Sequence, residues 1–210
     1  MKKIGLAVFV LMFSWSLSTA YAAFDEGIEY RVIEPPVATQ TGNKIEVVEL
    51  FWYGCPHCFR LEPLMKQWLK NKPDNVEFVR VPAIFNKRWE LHAKAYYSAE
   101  ALGVLDKVHD ELFEEIHVRK KHLHNKAELR TFFVKHGVKA EDFDNTFDSF
   151  MVNIKVNRAR DLSKRYGIDG VPSLVVNGKY LSDGPMAGGH AKLMKILDHL
   201  IKIEAKGNSK

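Results

Sequence analysis

Apolar positions change their period several times along this chain of 210 residues. The first stretch has no period. Ile4 to Leu17 is almost wholly apolar, with Lys2 and Lys3 before it and Ala20-Tyr21-Ala22 after it. A charged start, a short apolar run and two small residues at alternate positions predict a signal peptide over residues 1–22, cut after Ala22. A membrane anchor is the alternative, but it needs about 20 apolar residues and this run is shorter.

Next comes a period of two. Residues 28–33, IEYRVI, alternate apolar and polar and predict a short strand. Residues 45–52, IEVVELFW, are apolar and β-branched enough for a buried central strand. A helical pattern follows from the CPHC stretch to about Lys70, then a turn over 71–75 and a strand over 76–81. A strand–helix–strand unit with parallel strands is expected to cross over right-handedly.

From residue 87 the period is helical throughout. Leu91, Ala95 and Ala99 share a face, as do Leu105, Val108, Leu112 and Ile116. Leu129, Phe132 and Phe133 follow, then Phe143, Phe147, Phe150 and Ile154. Three or four helices and a longer one to Tyr166 are predicted, with Gly167 suited to end the last. Strands return at 173–176 and 179–182, and Asn177-Gly178 between them signals a two-residue hairpin. Leu193, Ile196, Leu197, Leu200 and Ile201 form one stripe on a closing helix, and the tail KGNSK reads as frayed.

The expected fold class is therefore α/β. The division is a signal peptide (1–22), a first α/β part (23–86), an all-helical insertion (87–150) and a second α/β part (151–210).

Charge changes this picture little. The whole chain has 31 basic and 26 acidic residues; loss of Lys2 and Lys3 leaves 29 against 26, a net charge of +3. No basic stripe with interleaved aromatics stands out, so nucleic acid is not the expected partner. The exported chain of about 188 residues suffices for one domain with an insertion. No further segment is apolar enough to span a bilayer, so the exported chain is expected to be soluble, and a monomer is expected.

The candidate chemistry lies in ELFWYGCPHCFRLEP, residues 49–63, which holds the only two cysteines, Cys55 and Cys58. Half a zinc site, an inert staple and redox exchange are the options. Structural zinc usually takes four protein ligands, and no second ligand pair is nearby. A staple closing so short a loop removes little chain entropy. Exchange is the best account, and in an exported protein cysteines meet an oxidising compartment.

Placement supports exchange. Cys55 falls where a strand ends and a helix begins, and Pro56 suits the first helical turn because it has no N–H to leave unpaired. Free backbone N–H groups and the helix dipole favour a thiolate on Cys55. Cys58 lies one turn further in and is expected to resolve what Cys55 begins. His57 is expected to add a donor and partial positive charge; the plainer alternative is a solvated helix-start residue. A stabilised thiolate stabilises the reduced pair and makes its disulfide an oxidant.

The signal peptide, CPHC after an apolar strand, the helical insertion and Gly170-Val171-Pro172-Ser173 before a strand together resemble the DsbA family of periplasmic thiol:disulfide oxidoreductases. The resemblance covers essentially the whole exported chain. It implies a thioredoxin fold with an inserted all-helical domain and a periplasmic location. It implies no cofactor beyond the redox-active Cys55–Cys58 disulfide, which is given to unfolded exported polypeptides through a mixed disulfide on Cys55. A DsbB-like, quinone-linked membrane oxidase would then reoxidise the pair. Pro172 matches the family's cis-proline, with the Val171 backbone placed to pair with an extended client. Other readings are a disulfide isomerase or reductase, or a peptide-binding, chaperone-like module with a passive disulfide.

Two acids complete the reading. By period two, Glu49 shares a strand face with Ile45, Val47 and Phe51, so its carboxyl is expected to be buried and hard to ionise. Family members carry an acid beneath the cysteines that relays the Cys58 proton; the alternative is a strand-end glutamate reaching solvent. Glu62, four residues after Cys58, matches a second family acid, with a surface role as its alternative. Pro63 is expected to kink the helix. Trp52, Tyr53, Met186 and the Pro172 loop are candidates for an apolar docking surface around Cys55; ordinary core packing is the alternative and is favoured for Trp52. HVRKKHLH, residues 117–124, reads as a solvated helix end rather than a metal site, so no metal ligand is expected.

Overall fold

The computed structural model describes residues 24–207. The predicted signal peptide lies outside the described residues. The strands are β1 (Arg31–Val32), β2 (Ile45–Phe51), β3 (Val76–Pro82), β4 (Ser173–Val176) and β5 (Tyr180–Asp183). They form one sheet in the order β1-β5-β4-β2-β3. β2 and β3 run parallel; β4 runs antiparallel to β2 and to β5, and β1 runs antiparallel to β5.

Helix α1 (Pro56–Asn71) joins β2 to β3. Five helices then separate β3 from β4: α2 (Lys87–Ala101), α3 (Leu105–His117), α4 (Lys126–Lys135), α5 (Ala140–Phe147) and α6 (Phe150–Arg165). α7 (Gly184–Ala187) and α8 (His190–Gly207) close the chain. This is the arrangement expected of a thioredoxin fold with inserted helices.

β2 is buried at every position, and its alternation sorts two cores. Ile45 and Val47 pack with Leu61 and Met65 of α1 and with Leu193, Leu197 and Leu200 of α8. Val48 and Leu50 pack with the inserted helices, through Ala95, Leu112 and Val156 among others. Phe51 leaves the first set and joins the second, edge-on to Tyr53 and Tyr96. The Asn177-Gly178 turn has positive φ at both residues, 51° and 66°, as a tight hairpin requires.

Three expectations need correction. The strand predicted over 28–33 survives only as Arg31–Val32. Gly27, at φ 84°, closes a turn in which its N–H meets the Tyr30 carbonyl at 2.7 Å, leaving Ile28 exposed. Second, Phe143 and Phe147 are buried, but Phe150 and Ile154 are exposed. The chain breaks helical phase after Phe147, and Ser149 caps a new helix whose buried face is Val152, Val156 and Ala159. Third, at the C-terminal end α7 (Gly184–Ala187) is capped by Asp183 and ended at Gly188 before the last helix. The tail is also helical as far as Gly207.

Candidate active site

β2 ends at Phe51, and residues 52–54 turn the chain into α1. The Cys55 N–H closes this turn on the Trp52 carbonyl at 2.9 Å. Gly54 is needed there, since a Cβ would lie 2.2 Å from the Trp52 ring. Cys55 is the N-cap of α1, with extended backbone (φ −88°, ψ 117°), and Pro56 opens the helix. A cysteine in this position takes the role usually filled by Ser or Asp, its sulfur accepting a free N–H. The Cys58 N–H reaches Cys55 Sγ at 3.5 Å. α1 continues through Pro63 to Asn71.

Both cysteines are free thiols in this structure. Cys55 keeps 7% exposure and Cys58 none, so only Cys55 meets a partner. The Cys55 thiol is drawn down to about 6. The hydrogen bond from the Cys58 thiol is the largest cause; the backbone N–H groups of Cys58 and His57 add to it, and desolvation opposes it. The charge of His57 contributes least. Its exposed ring accepts from Arg60 Nη2 at 2.9 Å and sits 6.2 Å from the His190 ring. His57 thus lowers the Cys55 thiol more through its backbone N–H than through the charge of its ring. Burial pushes Cys58 well above an ordinary thiol, and the bond and charge of Cys55 push it further.

The loop before β4 faces the pair. The Cys55 thiol points to the Val171 carbonyl at 3.3 Å, and the Val171–Pro172 peptide is cis. Ser173 Oγ donates to the Gly170 carbonyl at 2.8 Å and so ties the loop. Beside it runs a groove of about 430 Å³ lined by His57, Val171, Pro172, Pro185, Gly189 and His190.

Beneath the pair lies a buried ion network. Glu49 is fully buried, and Arg80 Nε donates to its Oε2 at 3.0 Å. Arg80 Nη2 donates to Glu62 Oε2, also at 3.0 Å. Glu62 Oε1 meets His109 Nε2 at 3.4 Å, and His109 Nδ1 meets the Tyr53 hydroxyl at 2.8 Å. Burial raises the Glu49 carboxyl to about 7, against the pull of Arg80 and with help from the Glu62 charge. Burial alone would raise Glu62 too, but the His109 hydrogen bond and the Arg80 charge outweigh it and leave Glu62 below its ordinary value. Desolvation lowers His109, which is neutral near pH 7. Glu62, His109 and Asp110 bring donor atoms together as a metal site would. Each donor is already engaged, by Arg80, by Tyr53 and by Lys66, which makes the cluster an ion network.

Cys55, Cys58, Pro56, His57, Glu49, Val171 and Pro172 are therefore gathered around one point, and Glu62 is buried with them rather than at the surface. Of the docking candidates, Tyr53 takes the core-packing alternative in full and Trp52 takes it in part. Tyr53 is buried, its hydroxyl turned inward; Trp52 is half-buried and stacked on Trp89 at 4.5 Å; Met186 is half-buried. The 117–124 stretch is only partly a solvated end. His117 stacks on Phe59 at 4.9 Å and bonds the Tyr53 carbonyl at 2.8 Å, while His122 and His124 are exposed.

Arg80 and His109 were missed in the sequence, and each left a signal. Arg80 is a lone cation in an apolar strand, and the parallel register sets it beside Glu49. His109 falls on the apolar stripe of α3 between Leu105 and Leu112.

The chain matches the model of the DSBA-like thioredoxin domain over residues 79–200. It is 41% identical over 180 residues to the thiol:disulfide interchange protein DsbA of Pseudomonas syringae pv. tomato, covering 86% of this chain and 84% of that one. It is also 41% identical over 181 residues to DsbA of Pseudomonas aeruginosa, covering 86% of each. The crystal structure of Pseudomonas aeruginosa DsbA superposes with a TM-score of 0.85 at 40% identity, over 89% of this chain and 97% of that one. The oxidoreductase DsbA of Xylella fastidiosa gives 0.82 at 32% identity, over 87% and 98%. The capped cysteine, the facing proline loop and these likenesses agree, and the chain belongs to the DSBA-like thioredoxin family of thiol:disulfide oxidoreductases.

Proposed function

We propose that this protein is a periplasmic dithiol oxidase that gives its Cys55–Cys58 disulfide to unfolded, newly exported polypeptides. One observation carries the reading: Cys55 caps α1 with its sulfur toward Val171 and ionises near 6. Such a sulfur is a good leaving group, so a mixed disulfide formed on it is readily resolved in the client's favour.

A client thiolate attacks Cys55 Sγ and forms a mixed disulfide as the Cys55–Cys58 bond breaks. The electron pair leaves on Cys58, a poor anion in its buried place, and Glu49 supplies the proton. A second client thiolate then attacks the client's own sulfur and releases Cys55 as a thiolate. The client loses two electrons and the protein gains them. A quinone-linked membrane oxidase resembling DsbB takes them away. The disulfide is itself the redox group, and no bound cofactor enters the steps. During attack the Val171 backbone pairs with the extended client beside Pro172. The leader over residues 1–22 would place this chemistry in the periplasm.

Cys58→Ser removes the resolving sulfur. Expressed with its leader, this variant has no disulfide to give, but its Cys55 thiolate attacks client disulfides, the second client sulfur leaving as a thiolate; with no Cys58 to break the new bond, it is expected to accumulate client–protein disulfides that survive alkylation and vanish on reduction, while Cys55→Ser accumulates none. A passive module would trap nothing in either case.

A further inference from the structure

We infer that His109 is a positioning residue for the exchange reaction. It donates to Glu62 while Tyr53 holds its other nitrogen, and so preserves on Glu49 the proton that Cys58 needs. This rests on the proposed role of Glu49 and extends it to a second layer.

Both nitrogens of the ring have assigned work. A carboxylate only accepts, so the Nε2 that meets Glu62 Oε1 at 3.4 Å carries the hydrogen. Nδ1 is then an acceptor, and the Tyr53 hydroxyl donates to it at 2.8 Å. His109 is buried and packs edge-on against Phe51 and Phe113, which fixes the ring plane. The charged and titratable groups that face it are Glu62 of α1, Tyr53 of the active-site turn, Arg80 of β3, Tyr96 of α2 and its neighbour Asp110. Arg80 lies between the two carboxylates and touches each with a different nitrogen.

The consequence is directional. With its donor in place, Glu62 stays an anion and its charge repels ionisation of Glu49. Without that donor, a buried Glu62 holds a proton more readily. A neutral Glu62 no longer repels, Arg80 serves Glu49 alone, and Glu49 ionises at lower pH. Cys58 would then leave beside a carboxylate with no proton to give. A crevice of about 180 Å³ lined by Arg80, Tyr96 and His109 meets the surface at Lys66 and Asp110.

The test is the rate at which dithiothreitol reduces the disulfide from about pH 5 to 9, corrected for thiolate in the reagent. Wild type is expected to show an inflection near 7 that Glu49→Gln abolishes. His109→Phe should move it down by about one unit, while His109→Gln, which keeps a donor, leaves it within about 0.3. Should His109→Phe not fold, Tyr53→Phe is expected to move it the same way. An inflection unmoved or raised in these variants, or moved equally by Gln and Phe, overturns the role of His109. One that persists in Glu49→Gln overturns the role of Glu49 beneath it. No client is involved, so client transfer stands or falls separately.

Discussion

Single residues in this site are tuned by what buries them and by one shared cation. Arg80 shows the balance. Its side chain is only 17% exposed and lies between two buried carboxyls. Replacing one member of a buried ionic group usually costs more than the intact group contributes, because the other charge stays behind. Arg80→Met is therefore expected to lower the unfolding free energy by about 3 kcal/mol at pH 8. The pH dependence has a definite sign. Without Arg80, both carboxyls ionise above their unfolded values. A group with a raised folded pKa contributes stability at low pH that is lost as pH rises through the folded value. The deficit should shrink toward about pH 5, where Glu49 and Glu62 can be neutral. Urea unfolding at the two pH values reads this out; an equal deficit at both would show that packing, not charge, sets the loss.

At the scale of elements, caps and turns decide where the chain changes direction. Gly178 has φ 66°, and a Cβ there would lie 1.9 Å from the Val37 carbonyl oxygen. The same place is bridged by the Val37 N–H to the Gly178 carbonyl at 2.9 Å. Gly178→Ala must then adopt a left-handed backbone and push a neighbouring main chain aside, for about 2–4 kcal/mol. Thermal unfolding should record that loss, while ultraviolet titration of Cys55 stays unchanged. Elements with this kind of local signature were legible in the sequence. β2, α1, the hairpin and α8 follow from β-branched runs, Pro56, Asn177-Gly178 and one clean stripe. The residues at which the reading failed obey longer-range or subtler rules. Phe150 and Ile154 continue the phase of α5 on paper, but Ser149 restarts the count. The site divides in the same way. Cys55, Cys58 and the buried Glu49 are visible within 15 residues of sequence. Arg80 reaches Glu49 across 31 positions through strand register, and His109 reaches Glu62 across 47 through helix packing.

For the whole molecule, the redox couple and the folding equilibrium are linked, and magnitudes decide the sign. In the reduced form, Cys55 ionises near 6 against an ordinary value of 9.0. A depressed folded pKa contributes stability that is full above the unfolded value and is lost as pH falls through the folded one. Between about pH 6 and 8 this contribution grows by roughly 1.5 kcal/mol once solvent screening at a partly open sulfur is allowed for. The oxidised form has an opposing advantage, since the disulfide restrains the unfolded chain. For so small a loop this is at most about 2 kcal/mol and does not vary with pH. Glu49 titrates near 7 but is present in both forms, so it largely cancels from their difference. Cys58 works the other way: its raised pKa removes stability from the reduced form once pH passes the ordinary thiol value of 9.0, which closes the window there. The melting temperature of the reduced form, minus that of the oxidised form, should therefore climb by about 3–6 °C from pH 6 to 8. Near pH 7 the two forms should be close, with the reduced form gaining as pH rises. Calorimetry of both forms across that range checks this. A difference that stays flat would mean that Cys55 is not held as a thiolate by the fold, and the disulfide would lose its reason to be given away.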